Sequence, residues 1–270
     1  MDYLIIGGDE RFAHLARMLR KRGQTVGTLL RDPVPGVAAC NPEALGNAGS
    51  IVVNCPPRIR GGALTIKQIQ ERIPDSARMY LCGPGHPCET TPRMADLWAD
   101  EALLEENARL TAEGAVCAAM RAGSCALRGM RCMVIGWGRV GRALTELLVA
   151  MGAHVTVASR TAAHRRRAIE RGAEAASTGS IALSMPSHRL ILNTAPERVL
   201  DAAALERADD DAMIIDLASP PYGVDLRAAW SRGLRAWREP GLPGRHCPES
   251  AAKALLAAMD RAGKEEKAHA

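Results

Sequence analysis

The chain has 270 residues, 47% of them apolar, which is enough to bury the core of one large domain or of two modest ones. No apolar run is long enough to cross a bilayer, and the sequence starts on a strand-like stretch without a basic region and cleavage site. The net charge of +5 is mild and aromatic residues are few, so a nucleic-acid surface is not indicated, whereas anionic small molecules fit the charge. We therefore expect a cytoplasmic globular enzyme or binding protein.

The eight cysteines are spaced singly along the chain, without a CxxC pair. Cys55, Cys82 and Cys132 lie within apolar, strand-like runs, where a free thiol packs as a small hydrophobic side chain. The sequence therefore predicts neither a disulfide framework nor a metal site.

The first hundred residues alternate between strand-like and helix-like segments. "YLIIGG" predicts a strand that ends in a glycine turn, "ERFAHLARMLRKRG" has helical spacing with Gly23 as its stop, and "TVGTLL" predicts a second strand. "SIVVNCPP", "TIKQIQERI" and "ARMYLCG" predict a strand, a short helix and another strand, and the turn-rich "GPGHPCETTP" follows as a loop. These segments indicate an α/β domain at 1–110 that would carry substrate-binding and catalytic residues.

The second half repeats this alternation after a connecting segment at 111–128, where Thr111 is predicted to cap a helix. Strands are predicted at 131–135, 154–158, 189–193 and 212–217, with helices near 140–150, 161–171 and 197–207. Such spacing favours parallel strands with right-handed crossovers. We predict two doubly wound, Rossmann-like α/β domains with a cleft between them, at 1–110 and 129–247, and a C-terminal helix with a frayed tail at 248–270.

A GxGxxG pattern follows the strand at 131–135, and it comprises Gly136, Trp137, Gly138, Arg139, Val140 and Gly141. Gly136 permits a tight turn, Gly138 lets the backbone approach a diphosphate, and Gly141 lets the helix pack on the strand. Amides at the helix N-terminus would then bind the phosphates. The strand–turn–helix–strand context favours a dinucleotide site, and the alternative is a glycine turn without a ligand.

The end of the next strand bears on which dinucleotide binds. A carboxylate about 20 residues after the glycines is typical of NAD sites, because it bonds the ribose hydroxyls. This chain has Ser159, Arg160 and Thr161 there instead, and an arginine suits a 2′-phosphate. NADP is therefore the predicted cofactor. NAD stays the alternative if Arg160 only faces solvent.

Three further turns at predicted strand ends are candidates for lining the same cleft, because ligands of parallel sheets bind beyond the carboxyl ends of the strands. Each could instead be ordinary turn or cap chemistry. The candidate residues are Asn193, Thr194, Ala195, Pro196, Asp216, Leu217, Ala218, Ser219, Leu242 and Pro243.

The predicted substrate residues lie elsewhere. Arg58 and Arg60 follow a strand of the first domain and could bind a carboxylate, although surface arginines are ordinarily solvated. Glu113 lies in the connecting segment, where it could act as an acid or base or only complement a helix dipole.

Over nearly its whole length, the chain resembles the family of dipicolinate synthase A subunits, from spore-forming bacteria. The resemblance rests on the order of "IIGGDER", "EENARLTAEGA", "VIGWGRVG", "ASRTAAH", "LNTAP", "IIDLASPPYGVD" and "EPGLPG". The chain departs from the family pattern at "CPPRIRGG" and at "RHCPESAAK".

The resemblance implies an NAD(P)-dependent dehydrogenase that works in a hetero-oligomer with the flavoprotein-like B subunit of dipicolinate synthase. Together they would oxidise dihydrodipicolinate to dipicolinate during sporulation. On this reading Arg58 and Arg60 would bind the substrate carboxylates, and Glu113 or His246 would accept the proton. Two alternatives stay open: a non-catalytic NADP-binding subunit of that complex, and a dehydrogenase of another imino or keto dicarboxylate.

Overall fold

The computed structural model describes residues 1–30, 32–84, 91 and 93–269, with side chains described as far as residue 264. Most of the predicted "GPGHPCETTP" loop therefore lies outside the described residues. The chain forms two compact units: unit 1 comprises Met1–Asn107 and Pro243–Ala270, and unit 2 comprises Ala108–Leu242. In the described ranges, no helix is both long and apolar enough for a bilayer crossing.

The helices and strands follow in chain order. They are β1 (Tyr3–Ile6), α1 (Glu10–Lys21), β2 (Val26–Leu29), β3 (Ala38–Ala39), β4 (Ser50–Asn54), β5 (Arg58–Ile59), β6 (Gly62–Ala63), α2 (Ile66–Gln70), β7 (Arg78–Cys82), β8 (Met94–Asp96), α3 (Glu101–Ala122), β9 (Arg131–Ile135), α4 (Arg139–Ala150), β10 (His154–Ala158), α5 (Ala162–Glu170), β11 (Glu174–Ala176), α6 (Ile181–Ser184), β12 (Leu190–Asn193), α7 (Ala202–Leu205), β13 (Met213–Asp216), α8 (Leu226–Ser231), β14 (Arg235–Arg238), α9 (Leu242–His246) and α10 (Pro248–His269). Short 3₁₀ turns occur at Pro42–Asn47, Leu97–Ala99, Thr178–Ser180 and Met185–Ser187.

Unit 1 is built on a parallel sheet with the strand order β3-β2-β1-β4-β7-β8. Its strands are apolar on both faces, because alternate residues pack against different layers. Ile5 belongs to the core formed with α1 and α10, whereas Leu4 and Ile6 belong to the core formed with α2. The C-terminal helix, which the sequence did not assign to a domain, thus completes unit 1.

Unit 2 repeats this architecture with a second parallel sheet in the order β11-β10-β9-β12-β13-β14. Val134 and Leu192 pack in one core with α3 and α4, while Met133 and Ile191 pack in another with α6, α7 and α8. The prediction of two doubly wound parallel sheets is confirmed. Both sheets have the strand order 3-2-1-4-5-6 of dinucleotide-binding folds when the hairpin β5–β6 is set aside.

Several predicted boundaries were wrong. The connecting helix begins at Glu101 and not at Thr111, because the Asp100 carboxylate accepts the N–H of Leu103 at 2.8 Å and caps the helix there. The helix predicted at 197–207 is shortened to α7, which Asp201 caps through the N–H of Ala204. At the C-terminus, α10 continues to residue 269, through the stretch predicted as a frayed tail. The hairpin and the strands β3, β8, β11 and β14 were not predicted, because they are short and lie outside the central apolar strands.

The described cysteines are free thiols, seven in number within that part of the chain. Cys55, Cys82 and Cys132 are buried, and burial raises the pKa of Cys132 to about 12. These thiols are therefore packing residues, as their strand positions predicted.

A buried histidine, His188, joins the loop before β12 to β10. Its Nδ1 lies 2.7 Å from the carbonyl oxygen of Ser184, which can only accept, so Nδ1 carries the proton. Its Nε2 lies 3.0 Å from the Thr156 hydroxyl. Burial lowers the pKa of His188 below its usual 6.5, because the charged form loses solvation in the core.

We expect the stability of the protein to fall as the pH drops below about 6.5, because the unfolded chain then binds a proton that folded His188 resists. Titration of one such group changes the free energy of unfolding by at most ~1.4 kcal/mol per pH unit. Urea unfolding between pH 5 and 8 checks this. His188→Gln should flatten the slope, whereas His154→Gln, at an exposed position of β10, should retain it. Equal slopes in all three proteins would contradict the assignment.

Candidate functional site

A cavity of about 270 Å³ lies at the carboxyl ends of β9, β10 and β12 in unit 2. It is formed by the glycine turn after β9, the turn after β10 and the loop after β12, which is the edge where parallel sheets bind ligands. Its lining residues are Gly136, Trp137, Gly138, Ala158, Ser159, Arg160, Thr161, His164, Thr178, Thr194, Ala195, Pro196, Glu197 and Val199. The structure thus brings together three of the predicted site segments.

The three glycines of the turn serve different purposes. Gly136 has a φ of +102°, and a Cβ there would lie 2.4 Å from the Thr194 hydroxyl oxygen. A Cβ on Gly141 would lie 2.3 Å from the carbonyl oxygen of Gly136, so this glycine is required for the helix to pack on the turn. Gly138, in contrast, has no atom within 4 Å of its Cβ position. It leaves open the space that a bound group would occupy.

The start of α4 lacks the side-chain cap that several other helices have, and the four-residue helix α6 lacks one as well. Gly138 is its N-cap residue and offers no side-chain acceptor. The helices α1, α2, α5, α7 and α8 are capped by Asp9, Thr65, Thr161, Asp201 and Asp225. The first-turn N–H groups of α4, which have no intrahelical acceptor, can therefore bind an anion. The buried indole Nε1 of Trp137 also has no hydrogen-bond partner among the described residues.

The end of the cavity between the turn after β10 and the loop after β12 carries one positive and one negative side chain. Arg160 Nη1 lies 2.8 and 2.7 Å from the two carboxylate oxygens of Glu197, an ion pair between two exposed side chains. Arg165 Nη1 donates to the carbonyl oxygens of Ser159 and Arg160 at 2.7 and 2.8 Å, which fixes the turn after β10. Sequence reasoning missed Glu197. The one feature that could have indicated it is its position directly after Thr-Ala-Pro at a strand end.

Two of the predicted cofactor residues are buried beneath the cavity. Asn193 and Asp216 are 0% and 1% exposed, and Asn193 Nδ2 donates to Asp216 Oδ1 at 2.8 Å. Asp216 also accepts the N–H groups of Ala218, Gly223 and Val224 at 3.2–3.3 Å. These two side chains do not line the cavity but fix the loops after β12 and β13, and their part in cofactor binding stays a prediction.

Other predicted residues also lie outside the lining. Arg139, Val140 and Gly141 form the first turn of α4 and do not line the cavity, and only Gly141 of the three is buried. Leu217 and Ala218 are half-buried in the loop after β13, and Ser219 is exposed there. Leu242 and Pro243 are buried at the start of α9. Of the turn after β12, Thr194, Ala195 and Pro196 line the cavity, and their contact with a cofactor stays a prediction.

The predicted substrate residues are distributed over both units. Arg58 and Arg60 belong to the hairpin β5–β6 of unit 1, with exposed side chains. His246 ends α9, also in unit 1, and its Nε2 is buried without a hydrogen-bond partner among the described residues. Glu113 is an exposed residue of α3 in unit 2. Their roles stay predictions.

Comparison with known proteins identifies the class of unit 2. Residues 102–220 match the family of the D-isomer specific 2-hydroxyacid dehydrogenase, NAD binding domain. A nicotinamide dinucleotide is the ligand named for that domain, and the bare Gly138 and the α4 N-terminus without a side-chain cap fit its diphosphate. The comparison supports the predicted class of NAD(P)-dependent oxidoreductase.

The particular relatives are A subunits of dipicolinate synthase. The chain is 28% identical over 169 residues to the dipicolinate synthase A subunit of Bacillus subtilis (strain 168), a match that covers 63% of this chain and 57% of that protein. The crystal structure of the Bacillus subtilis protein matches 100% of this chain and 98% of its own, with a TM-score of 0.80 and 22% identity. That of the Bacillus halodurans protein covers 96% of this chain and 97% of its own, with a TM-score of 0.79 and 24% identity. The resemblance predicted from the sequence is confirmed, and so is the Rossmann-like fold.

The ion pair of Arg160 and Glu197 leads to a prediction about cofactor choice. If Arg160 leaves Glu197 to bind the 2′-phosphate of NADP, Arg160→Ala should weaken NADP binding about 10- to 100-fold and change NAD binding little. Glu197→Gln should strengthen NADP binding about fivefold, because it removes a competing carboxylate whose exposed ion pair contributes about 1 kcal/mol. Calorimetric titration with both dinucleotides measures these effects.

The matched control is Arg171→Ala, which breaks the exposed ion pair with Glu146 outside the cavity. It should leave both affinities unchanged. An Arg160→Ala protein that binds NADP and NAD like the unaltered protein would show that Arg160 does not select the cofactor.

Proposed function

We propose that the protein is an NADP-dependent dehydrogenase that converts dihydrodipicolinate to dipicolinate in the cytoplasm during sporulation, together with the B subunit of dipicolinate synthase. The observation that carries the dehydrogenase part is the uncapped N-terminus of α4, which meets a cavity lined by Gly138 and by Arg160. The substrate and the partner rest on the similarity to dipicolinate synthase A subunits.

The bound nicotinamide would supply the hydride acceptor, and the protein would supply position and charge. A dihydropyridine dicarboxylate loses a hydride from one ring carbon and a proton from a neighbouring one, which leaves the aromatic pyridine. Arg58 and Arg60 carry the positive charge that two carboxylates need. His246 is the proposed proton acceptor, because its buried Nε2 has no hydrogen-bond partner among the described residues, and Glu113 is the second candidate.

The test supplies the purified chain with dihydrodipicolinate and NADP, alone and with the B subunit, and follows reduced-nicotinamide absorbance and dipicolinate together. Equal amounts of both products support the proposal. Dipicolinate formed without reduced nicotinamide would refute hydride transfer and favour a non-catalytic binding role. If reduced nicotinamide forms only with other imino or keto dicarboxylates, dihydrodipicolinate is not the substrate, but the protein is still an NADP-dependent dehydrogenase.

Arg58→Ala tests the substrate assignment separately. Loss of one charged hydrogen-bonding partner of a carboxylate should raise the KM for the dicarboxylate about 10- to 100-fold, while the KM for NADP changes less than about twofold. Initial rates with each substrate varied in turn measure both. Arg17→Ala, at a half-buried surface position of α1, is the control. An unchanged dicarboxylate KM would remove Arg58 from the site.

A further inference from the structure

The first βαβ segments of the two units correspond residue by residue. The helix α1 spans residues 10 to 21 and α4 spans 139 to 150, so each position of α4 lies 129 residues after its counterpart. The strands β1 and β2, ending at 6 and 29, match β9 and β10, ending at 135 and 158, with the same offset. No insertion or deletion separates the two segments.

A cavity occurs in unit 1 at the place that corresponds to the outer part of the dinucleotide cavity. It has a volume of about 350 Å³ and is lined by the end of β2, the end of β3 and the hairpin that follows β4. The cavity of unit 2 is lined by the end of β10, the segment after β11 and the loop that follows β12. Thr161 lines the cavity of unit 2, and by the same offset of 129 residues it corresponds to Asp32, which lines the cavity of unit 1.

The inner part, where the diphosphate would lie, is closed in unit 1 by the protein itself. Gly7 does not differ from its counterpart Gly136, because a Cβ on Gly7 would lie 2.9 Å from the backbone N of Arg58 and one on Gly136 would lie 2.4 Å from the Thr194 hydroxyl oxygen. The difference lies at the next glycine of the turn. The counterpart of bare Gly138 is Asp9, whose carboxylate accepts the N–H of Arg11 at 3.1 Å and caps α1. A Cβ on Gly244 would lie 2.2 Å from that carboxylate, so α9 packs against it. A diphosphate would meet both a filled space and a negative charge.

The open outer part has the chemistry of a ribose site. Asp32 is an exposed carboxylate 24 positions after Gly8, close to the spacing at which an acidic residue bonds ribose hydroxyls in such folds. Leu30, Pro33, Pro42 and Ile59 give the cavity an apolar wall on which a flat ring can pack.

We propose that unit 1 contains a second binding site, at the cavity lined by Asp32 and Pro42, for a ribonucleoside without a diphosphate. Asp32 accepts hydrogen bonds from the vicinal 2′- and 3′-hydroxyls, and the base packs against the apolar wall. The proposal goes beyond the function proposed for unit 2 and does not depend on it, since it rests on residues of unit 1 alone. The same chemistry could come from free adenosine or from the nucleoside part of AMP, neither of which carries a diphosphate.

Cys40 lines this cavity as a half-buried free thiol, which allows a footprinting test on the full chain. Alkylation of Cys40 is followed by peptide mass spectrometry with unit 2 saturated by NADP. Cys125, an exposed thiol of unit 2, gives the reference rate. Adenosine at ten times its Kd should slow Cys40 labelling about tenfold by mass action, with no effect on Cys125.

Ligand variants identify the recognised group. 2′,3′-Dideoxyadenosine should protect at least about tenfold more weakly than adenosine, because the hydrogen bonds to the carboxylate are lost. Protection by NADP alone, when unit 2 is blocked by Gly138→Val, would show instead that the site takes a whole dinucleotide and would overturn the exclusion of the diphosphate. AMP should bind no more tightly than adenosine.

Protein variants complete the test. Asp32→Asn should reduce adenosine protection at least about tenfold, whereas Asp75→Asn, at an exposed position outside this cavity, should not change it. Unchanged melting temperatures establish that both variants are folded. Labelling of Cys40 that is indifferent to adenosine at millimolar concentration would overturn the proposal. Because NADP binding and hydride transfer by unit 2 are measured separately, failure here leaves the proposed dehydrogenase untouched.

Discussion

Gly138→Val is expected to abolish most dinucleotide binding while leaving the protein folded. The Cβ position of Gly138 is open, and its φ of −75° and ψ of −172° suit any residue, so the added side chain strains nothing within the protein. It does fill the space through which a diphosphate approaches the amides of α4. We expect the affinity for NAD and NADP to fall at least about 100-fold, or about 2.7 kcal/mol, as measured by calorimetric titration.

Two matched variants separate this effect from loss of structure. Gly62→Val, also at an open position with ordinary φ but in unit 1, should bind dinucleotide like the unaltered protein. Gly141→Ala should lower the free energy of unfolding by about 1–3 kcal/mol, because its Cβ collides with the carbonyl oxygen of Gly136. If Gly138→Val binds either dinucleotide with unchanged affinity, the diphosphate does not lie at this turn.

Asp216→Ala is expected to lower the free energy of unfolding by about 3–5 kcal/mol. The substitution removes the acceptor of three buried donors, the side-chain amide of Asn193 and the backbone N–H groups of Gly223 and Val224, and of the half-buried N–H of Ala218. A Cβ on Gly223 would lie 2.3 Å from Asn193 Nδ2, so no space exists for these loops to rearrange inward. Urea unfolding at neutral pH measures the loss.

A milder substitution of Asp216 and a control at a surface aspartate test whether the loss of stability comes from the buried acceptor oxygens. Asp216→Asn keeps one acceptor oxygen and should cost about 1–3 kcal/mol. Asp210→Ala, which affects only an exposed ion pair with Arg232, should change stability by less than about 0.5 kcal/mol. A loss below about 1 kcal/mol in Asp216→Ala would mean that the buried donors find other acceptors.

The hydrogen bonds of Asp216 and Asn193 extend to a loop that lines the cavity of unit 2. Asn193 Nδ2 also donates to the carbonyl oxygen of Ala195 at 3.0 Å, and Ala195 lines the cavity of unit 2. Asn193 and Asp216 therefore act on the site through the loop they hold. Sequence reasoning placed both at strand ends correctly, but a strand end can direct its last side chain either toward the cavity or into the core.

The sequence by itself determined the alternation of strands and helices in both units, because apolar periodicity and glycine stops are local signals. It also determined the location of the glycine turn between β9 and α4, since the spacing of Gly136, Gly138 and Gly141 reflects backbone geometry that few other sequences satisfy. It did not determine where α3 begins, because Thr111 and Asp100 are equally acceptable caps by residue type. Asp100 caps the helix, and its carboxylate also bonds Arg261 of α10, 161 residues away.

Only the tertiary structure decided which polar groups meet. Arg160 and Glu197 pair across β9, from the ends of β10 and β12, and Asp216 accepts donors from the end of β12 and from the loop after β13, because a parallel sheet brings together at one edge residues that are far apart in the chain. The same holds for Asp9, which occupies in unit 1 the position that Gly138 leaves open in unit 2 and against which Gly244, 235 residues away, packs. Such pairings depend on strand order and loop path, which no local pattern of residues encodes.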